Sequence, residues 1–203
     1  HEADDGTLSK TLFCNLARQA RVPAAIASVD ASNCYDRIAH AMASLVFQAF
    51  WVPLTAAESM LGTIENMKFF LRTGFGDSTN FAGGGVSIKT QGMCQGNGAS
   101  PAGWAVISIC ILGAHRKKGH GAKFLCPITR LQHHLSAILY VDDTDLLHIN
   151  MTKNESVDEV HHAIQESVDS WGNLLIATGG VLQPAKCFYS IISFHFSSNI
   201  LRN

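Results

Sequence analysis

The stretch Leu135-Ser136-Ala137-Ile138-Leu139-Tyr140-Val141-Asp142-Asp143-Thr144-Asp145-Leu146-Leu147-His148-Ile149 sets two adjacent carboxylates, Asp142 and Asp143, between two apolar runs. The flanking runs have the β-branched and aromatic content of paired strands, and Asp is a good turn residue. The stretch therefore predicts a hairpin with acids at its tip. Two readings remain open from this segment alone. Asp142-Asp143 serves as turn chemistry, or it supplies ligands to a divalent metal ion.

Two further segments bear on that choice. Ile26-Ala27-Ser28-Val29-Asp30 is a short apolar strand ending in a carboxylate, and a helical pattern follows from Arg37. In that pattern Ile38, Met42, Leu45, Val46, Ala49 and Phe50 recur at three- and four-residue intervals and predict one apolar face. Asp30, Ser32 or Asn33 could instead act as a helix N-cap. The third segment, Gln91-Gly92-Met93-Cys94-Gln95-Gly96-Asn97-Gly98-Ala99-Ser100-Pro101, leads into the apolar run Ala102 to Ala114. Its glycines permit close approach of backbone to a ligand, and Ser100 before Pro101 suits an N-cap with Pro at the first helical position. A loop entering a core helix uses the same residue types.

Taken in order, Asp30 with Tyr35-Asp36, Gln95-Gly96 with Ser100-Pro101, and Tyr140-Val141-Asp142-Asp143 resemble motifs A, B and C of reverse transcriptases. Gly179-Gly180-Val181-Leu182-Gln183-Pro184-Ala185-Lys186 resembles motif D with its lysine. The resemblance spans roughly residues 25 to 190 and is of retroelement type, non-LTR or group II intron-like. Cys94 and Ala99 depart from the pattern, standing where Pro and Leu are usual; neither change removes a ligand group. The resemblance implies an RNA-directed DNA polymerase working by two-metal-ion nucleotidyl transfer. Asp30, the Ala31 carbonyl, Asp142 and, more weakly, Asp143 would hold two Mg²⁺ ions, with Mn²⁺ as a substitute. Tyr35 would exclude a ribose 2′-hydroxyl, Gln95 and Gly96 would line the nucleotide and template pocket, and Lys186 would protonate pyrophosphate. The implied partners are an RNA template, a DNA primer and deoxynucleoside triphosphates. The rival reading is a non-catalytic retroelement remnant or scaffold that retains the palm fold.

With 203 residues and 47% hydrophobic content, the chain can bury one substantial core but hardly three polymerase subdomains. The expectation is one partial reverse transcriptase domain over 1–203, holding palm motifs A to D and lacking most of the fingers and the thumb. His1 in place of Met suggests a piece of a longer polypeptide whose flanking fingers and thumb segments would be partners. A net charge of −1 is poor for a free-standing nucleic-acid binder. The basic run Arg116-Lys117-Lys118 suits a helix C-terminus or a nucleic-acid backbone. Six scattered cysteines without a C-x-x-C pair read as reduced thiols of an intracellular protein, and no apolar run is long enough to span a membrane.

Periodicity and breakers predict helices near Thr7 to Arg21, Arg37 to Phe50 and Thr55 to Asn66, with strands near Ala24 to Asp30 and Lys68 to Arg72. Gly74 to Gly85 reads as a loop. Thr152-Lys153-Asn154-Glu155 has capping-box spacing ahead of a helix whose face is Val157, Val160, Ile164, Val168, Trp171 and Leu175. A last strand spans about Cys187 to Phe196. The resulting fold class is α+β, an antiparallel sheet in ferredoxin-like β-α-β-β-α-β order with helices packed on one side; the resemblance implies that this is a polymerase palm.

Overall fold

In a computed structural model that describes residues 3–84, 90–126 and 128–193, the chain opens with helix α1 (Ala3–Ala20) and enters strand β1 (Ala24–Asp30). The helix expected over Arg37 to Phe50 is divided into a single turn, α2 (Cys34–Arg37), and α3 (His40–Ala49). Between them Ile38 and Ala39 are extended. Their backbone groups bond elsewhere, the Ile38 carbonyl accepting from Gly92 N–H at 3.0 Å and Ala39 N–H donating to the Thr178 carbonyl at 2.9 Å. Restarting at His40 resets the phase of the helix. Its buried face is Ala43, Val46 and Phe47, while Leu45, Ala49 and Phe50 of the expected face point to solvent.

Helix α4 (Leu54–Glu65) leads to β2 (Lys68–Thr73). The stretch expected as a loop is instead largely strand β3 (Gly76–Gly83), which pairs antiparallel with β2; Gly85 lies outside the described residues. Phe70 stands opposite Phe81, and Arg72 grips Asp77 with two bonds of 2.7 and 3.0 Å. Cross-strand pairs of this kind outweigh the weak strand preference of Gly76 and Asp77. Helix α5 (Ser100–Lys117) follows, its last turn carrying His115, Arg116 and Lys117 where the helix dipole favours cations.

Two short strands, β4 (Ala122–Leu125) and β5 (Gln132–Leu135), then precede β6 (Ala137–Tyr140) and β7 (Asp143–Asn150). Helix α6 (Val157–Ala177) is capped by Ser156 and Glu159 rather than by Thr152 and Glu155. Ser156 N–H donates to Glu159 Oε2 at 2.7 Å, and Glu159 N–H donates to Ser156 Oγ at 3.2 Å. Glu155 is engaged elsewhere, accepting from Asn150 Nδ2 and bonding His148 Nε2. Of the expected helix face, Val160, Ile164, Trp171 and Leu175 are buried and Val157 is exposed. Gly179, at φ +92°, closes the end of α6. A 3₁₀ turn (Pro184–Lys186) leads into β8 (Phe188–Ile192); the expected extension to Phe196 falls partly outside the described residues.

The six-stranded sheet has the order β5-β4-β7-β1-β8, with β6 pairing the N-terminal half of β7. All pairs are antiparallel except β4 with β7. The expected order is thus interrupted by β4 and β5, inserted between α5 and β6. The helices also flank both sides of the sheet, not one. On one face Phe13 and Ala17 of α1 pack with Ala24, Leu147 and Ile149. Residues of opposite parity face α6, where Tyr189 bonds His161 and Val29 lines an apolar pocket with Val168 and Leu182. β7 accordingly buries Leu146 and Leu147 alike, as a strand covered on both faces must.

The chain groups into two compact units. The first comprises the residues up to Ala31, Leu112–Leu174 and those from Leu182 onward, and contains the six-stranded sheet. The second comprises Ser32–Ile111 and Leu175–Val181.

Candidate active site

In the first unit the register of β1 against β7 sets Asp30 directly opposite Asp143. Directly opposed residues of an antiparallel pair share a face, with Cβ atoms about 4.5–5.5 Å apart. The same face continues inward through the opposed pairs Ser28–Asp145 and Ile26–Leu147, so the carboxylates stand at the open end of a packed sheet. Tyr140 pairs with Asp143, leaving Val141 and Asp142 as a two-residue hairpin turn. Val141 has φ +57°, the left-handed region that a β-branched residue occupies only under constraint. The constraint is the two-residue turn itself, whose length the Tyr140–Asp143 pair sets; backbone strain of this sort concentrates at functional sites.

The fourth participant arrives from the C-terminal side. Ala31 forms an antiparallel bridge with Leu182, and Gln183 N–H donates to the Asp30 carbonyl at 2.9 Å. These bonds hold the 3₁₀ turn beside the end of β1, and Lys186 Nζ lies 2.8 Å from Asp30 Oδ2. The Lys186 side chain is 68% exposed and that of Asp30 16%. The bond to Asp30, followed by the charges of Asp30, Asp142 and Asp143, holds the Lys186 ammonium above the usual lysine range. Three carboxylates and one ammonium thus lie at one end of the two central strands β1 and β7.

Carboxylate and carbonyl oxygens are the donors that Mg²⁺ takes, so the chemistry of Asp30, Ala31, Asp142 and Asp143 suits a divalent ion. Among the described residues, however, no group of three or more His, Cys, Asp or Glu side chains is gathered closely enough to hold one. Asp30 is engaged by Lys186 instead.

Tyr35, Gln95 and Gly96 belong to the second unit, where the motif A turn and the motif B loop are joined. Met93 N–H donates to the Tyr35 carbonyl at 2.6 Å, and Gln95 N–H donates to Asp36 Oδ1 at 2.9 Å. The Tyr35 ring meets Trp104 edge-on, with centroids 6.4 Å apart. Gly96, at φ +91°, sits on an exposed turn with open space around its Cα. Ser100 does not cap α5 as its position before Pro101 suggests; its hydroxyl donates back to the carbonyls of Met93 and Cys94, pinning the loop to the helix start.

Two acids gain roles that sequence reasoning did not assign. Asp36, read only as part of motif A, is the side chain that holds the Gln95 backbone. Asp145 lies on the Asp30–Asp143 face, mostly buried, and pairs with Lys10 of α1. Strand alternation from Asp143 was the available signal for Asp145; nothing local announced Lys10.

No family model matches the chain, and no curated protein matches it. Solved structures do. The chain is similar to telomerase from Candida tropicalis in complex with a TWJ fragment of telomeric RNA, at TM-score 0.62 and 14% identity, covering 94% of this chain and 30% of that one. It is also similar to apo telomerase from Candida tropicalis truncated from its C-terminal domain, at TM-score 0.58 and 16% identity, covering 97% and 36%. Candida albicans telomerase with the corresponding RNA fragment matches at TM-score 0.53 and 13% identity, covering 94% and 30%. At such identities the likeness concerns the fold alone. The chain spans about a third of the length of these neighbours.

Proposed function

We propose that the chain is the catalytic palm of an RNA-directed DNA polymerase of retroelement type, transferring deoxynucleotides to a primer 3′-hydroxyl. The observation that carries the reading is the pairing of Asp30 with Asp143 across two central strands, with Asp142 in the adjoining turn and Lys186 reaching all three charges. The telomerase-like fold supports a nucleotidyltransferase, and the four ordered motifs support the retroelement assignment.

In this reading Asp30 and Asp142 would hold the two Mg²⁺ ions, helped by Asp143 and the Ala31 carbonyl; bound there, the ions would activate the 3′-hydroxyl and stabilise the leaving pyrophosphate. Lys186, whose proton is held tightly by its acidic neighbours, has the charge and the donor to meet the phosphates and return a proton to pyrophosphate. Tyr35 acts as a wall against the 2′-hydroxyl, and the Gln95-Gly96 turn, steadied by Asp36, lines the nucleotide and template pocket. RNA template, DNA primer and deoxynucleoside triphosphates are the partners. An RNA partner accords with the neighbours solved with a telomeric RNA fragment. The ends of the primer–template would be held by adjoining fingers and thumb sequence, because a chain of net charge −1 offers few phosphate contacts.

The test is extension of a DNA primer on an RNA template with Mg²⁺, by the chain together with the native sequence that adjoins it. Deoxynucleotide incorporation is expected, and Tyr35→Ala should raise ribonucleotide relative to deoxyribonucleotide incorporation. Incorporation with an unchanged sugar preference would remove Tyr35 from the gate. No incorporation at all would favour the scaffold reading.

A further inference from the structure

We propose that Lys186 is the resident counter-cation of this acidic end, and that a divalent ion takes Asp30 only by displacing it. This rests on the reading of Asp30 as a metal ligand. The ammonium lies 2.8 Å from Asp30 Oδ2. A Mg²⁺ ion on the same carboxylate would stand about 2.0–2.1 Å from its oxygen, so both cations cannot share that oxygen without strong repulsion. Lys10, from α1 on the same face, is paired with Asp145 and does not compete for Asp30.

The way Lys186 is mounted permits such an exchange. Its backbone is fixed: Lys186 N–H donates to the Gln183 carbonyl at 2.9 Å, Cys187 N–H donates to the Pro184 carbonyl at 3.2 Å, and Gln183 N–H is tied to the Asp30 carbonyl. Its side chain is 68% exposed, so the ammonium can leave for water without uncovering a core. An exposed ion pair opens at small cost. One ammonium against three carboxylates also leaves this end negative, so it still attracts a doubly charged ion. The exchange couples two events. Arrival of the ion on Asp30 frees the lysine, which then becomes available to an incoming phosphate chain.

The experiment measures Mn²⁺ binding by the electron paramagnetic resonance signal of the free ion, in the native chain and in Lys186→Met, Lys186→Arg, Asp30→Asn and the double variant Lys186→Met/Asp30→Asn. Circular dichroism checks that each is folded. Removing the cation that competes for Asp30 through an exposed ion pair should tighten binding about threefold to fivefold. Lys186→Met should show that gain, Lys186→Arg should not, and Asp30→Asn should abolish the gain in the double variant. A second readout is ¹³Cε-labelled lysine: Mg²⁺ should move one resonance, and Lys186→Arg should remove it. Equal Mn²⁺ affinity in the native chain and Lys186→Met, with loss in Asp30→Asn, would overturn the counter-cation role while leaving the metal reading standing. No Mn²⁺ binding by any variant would overturn both.

Discussion

A Cβ at position 92 would stand 2.4 Å from the backbone carbon of Asp36, and Gly92 has φ +85°. Both facts make glycine obligatory where the motif B loop crosses the motif A turn. Gly92→Ala should therefore cost about 2–3 kcal/mol of stability, the sum of left-handed strain and a backbone clash, read as a fall in the urea midpoint of unfolding. Asp30 and the Asp142-Asp143 pair were legible in the sequence because each ends an apolar strand. Asp36 and Asp145 were not, because their roles depend on a bond to Gln95 and an ion pair with Lys10, partners distant in sequence. Val141 could not be singled out either; its positive φ follows from a two-residue turn whose length depends on the register of Tyr140 with Asp143.

At the scale of elements, Ser156 and Glu159 satisfy one another's backbone donors at the start of α6. Ser156→Ala should destabilise by about 1 kcal/mol, lowering the melting temperature, whereas Thr152→Ala should not remove a cap, since Thr152 bonds Asn150 instead. The sequence carries two Ser/Thr-x-x-Glu patterns in succession, and spacing alone does not choose between them. β1 was legible to the residue because it is a clean apolar run. β4 and β5 were missed because strands of four residues are too short to carry an alternation signal, and β3 because its glycines and polar residues resemble a loop until its pairing with β2 is known. The break at Ile38-Ala39 belongs to the same class, since the bonds that stop the helix come from Gly92 and Thr178.

At the scale of the whole molecule, the first unit carries a pH-dependent element of stability. His115 is fully buried between α5 and α6, its Nε2 bonded to Ser167 Oγ at 3.1 Å, its ring stacked on His120 and edge-on to Trp171. Burial, followed by the nearby His120, Lys118 and His134, pushes its pKa down to about 4. The neutral ring is the form that folds. Because an unfolded histidine protonates near pH 6.5, the contribution of His115 is complete above that value and is lost as pH falls from about 6.5 through 4. The urea midpoint should therefore drop across this window, and His115→Gln should flatten the drop. The general class, mixed α/β with a mostly antiparallel sheet, was legible from the alternation of strands and helices. The placement of helices on both faces was not, because the segment of α1 that covers the second face is recognisable only by what Phe13 and Ala17 touch.

On the function proposed above, Asp30, Asp142 and Asp143 act as one catalytic cluster. Its most direct test is the single-turnover rate of deoxynucleotide addition, on an RNA template with Mg²⁺, for the chain in its native sequence context and for Asp142→Asn and Asp145→Asn. Loss of a metal-holding carboxylate removes several kcal/mol of transition-state stabilisation, more than about a hundredfold in rate. Asp142→Asn should show that loss, and folded Asp145→Asn, whose carboxylate serves Lys10, should keep a near-native rate. Equal rates for the native chain and Asp142→Asn would contradict a catalytic role for the cluster.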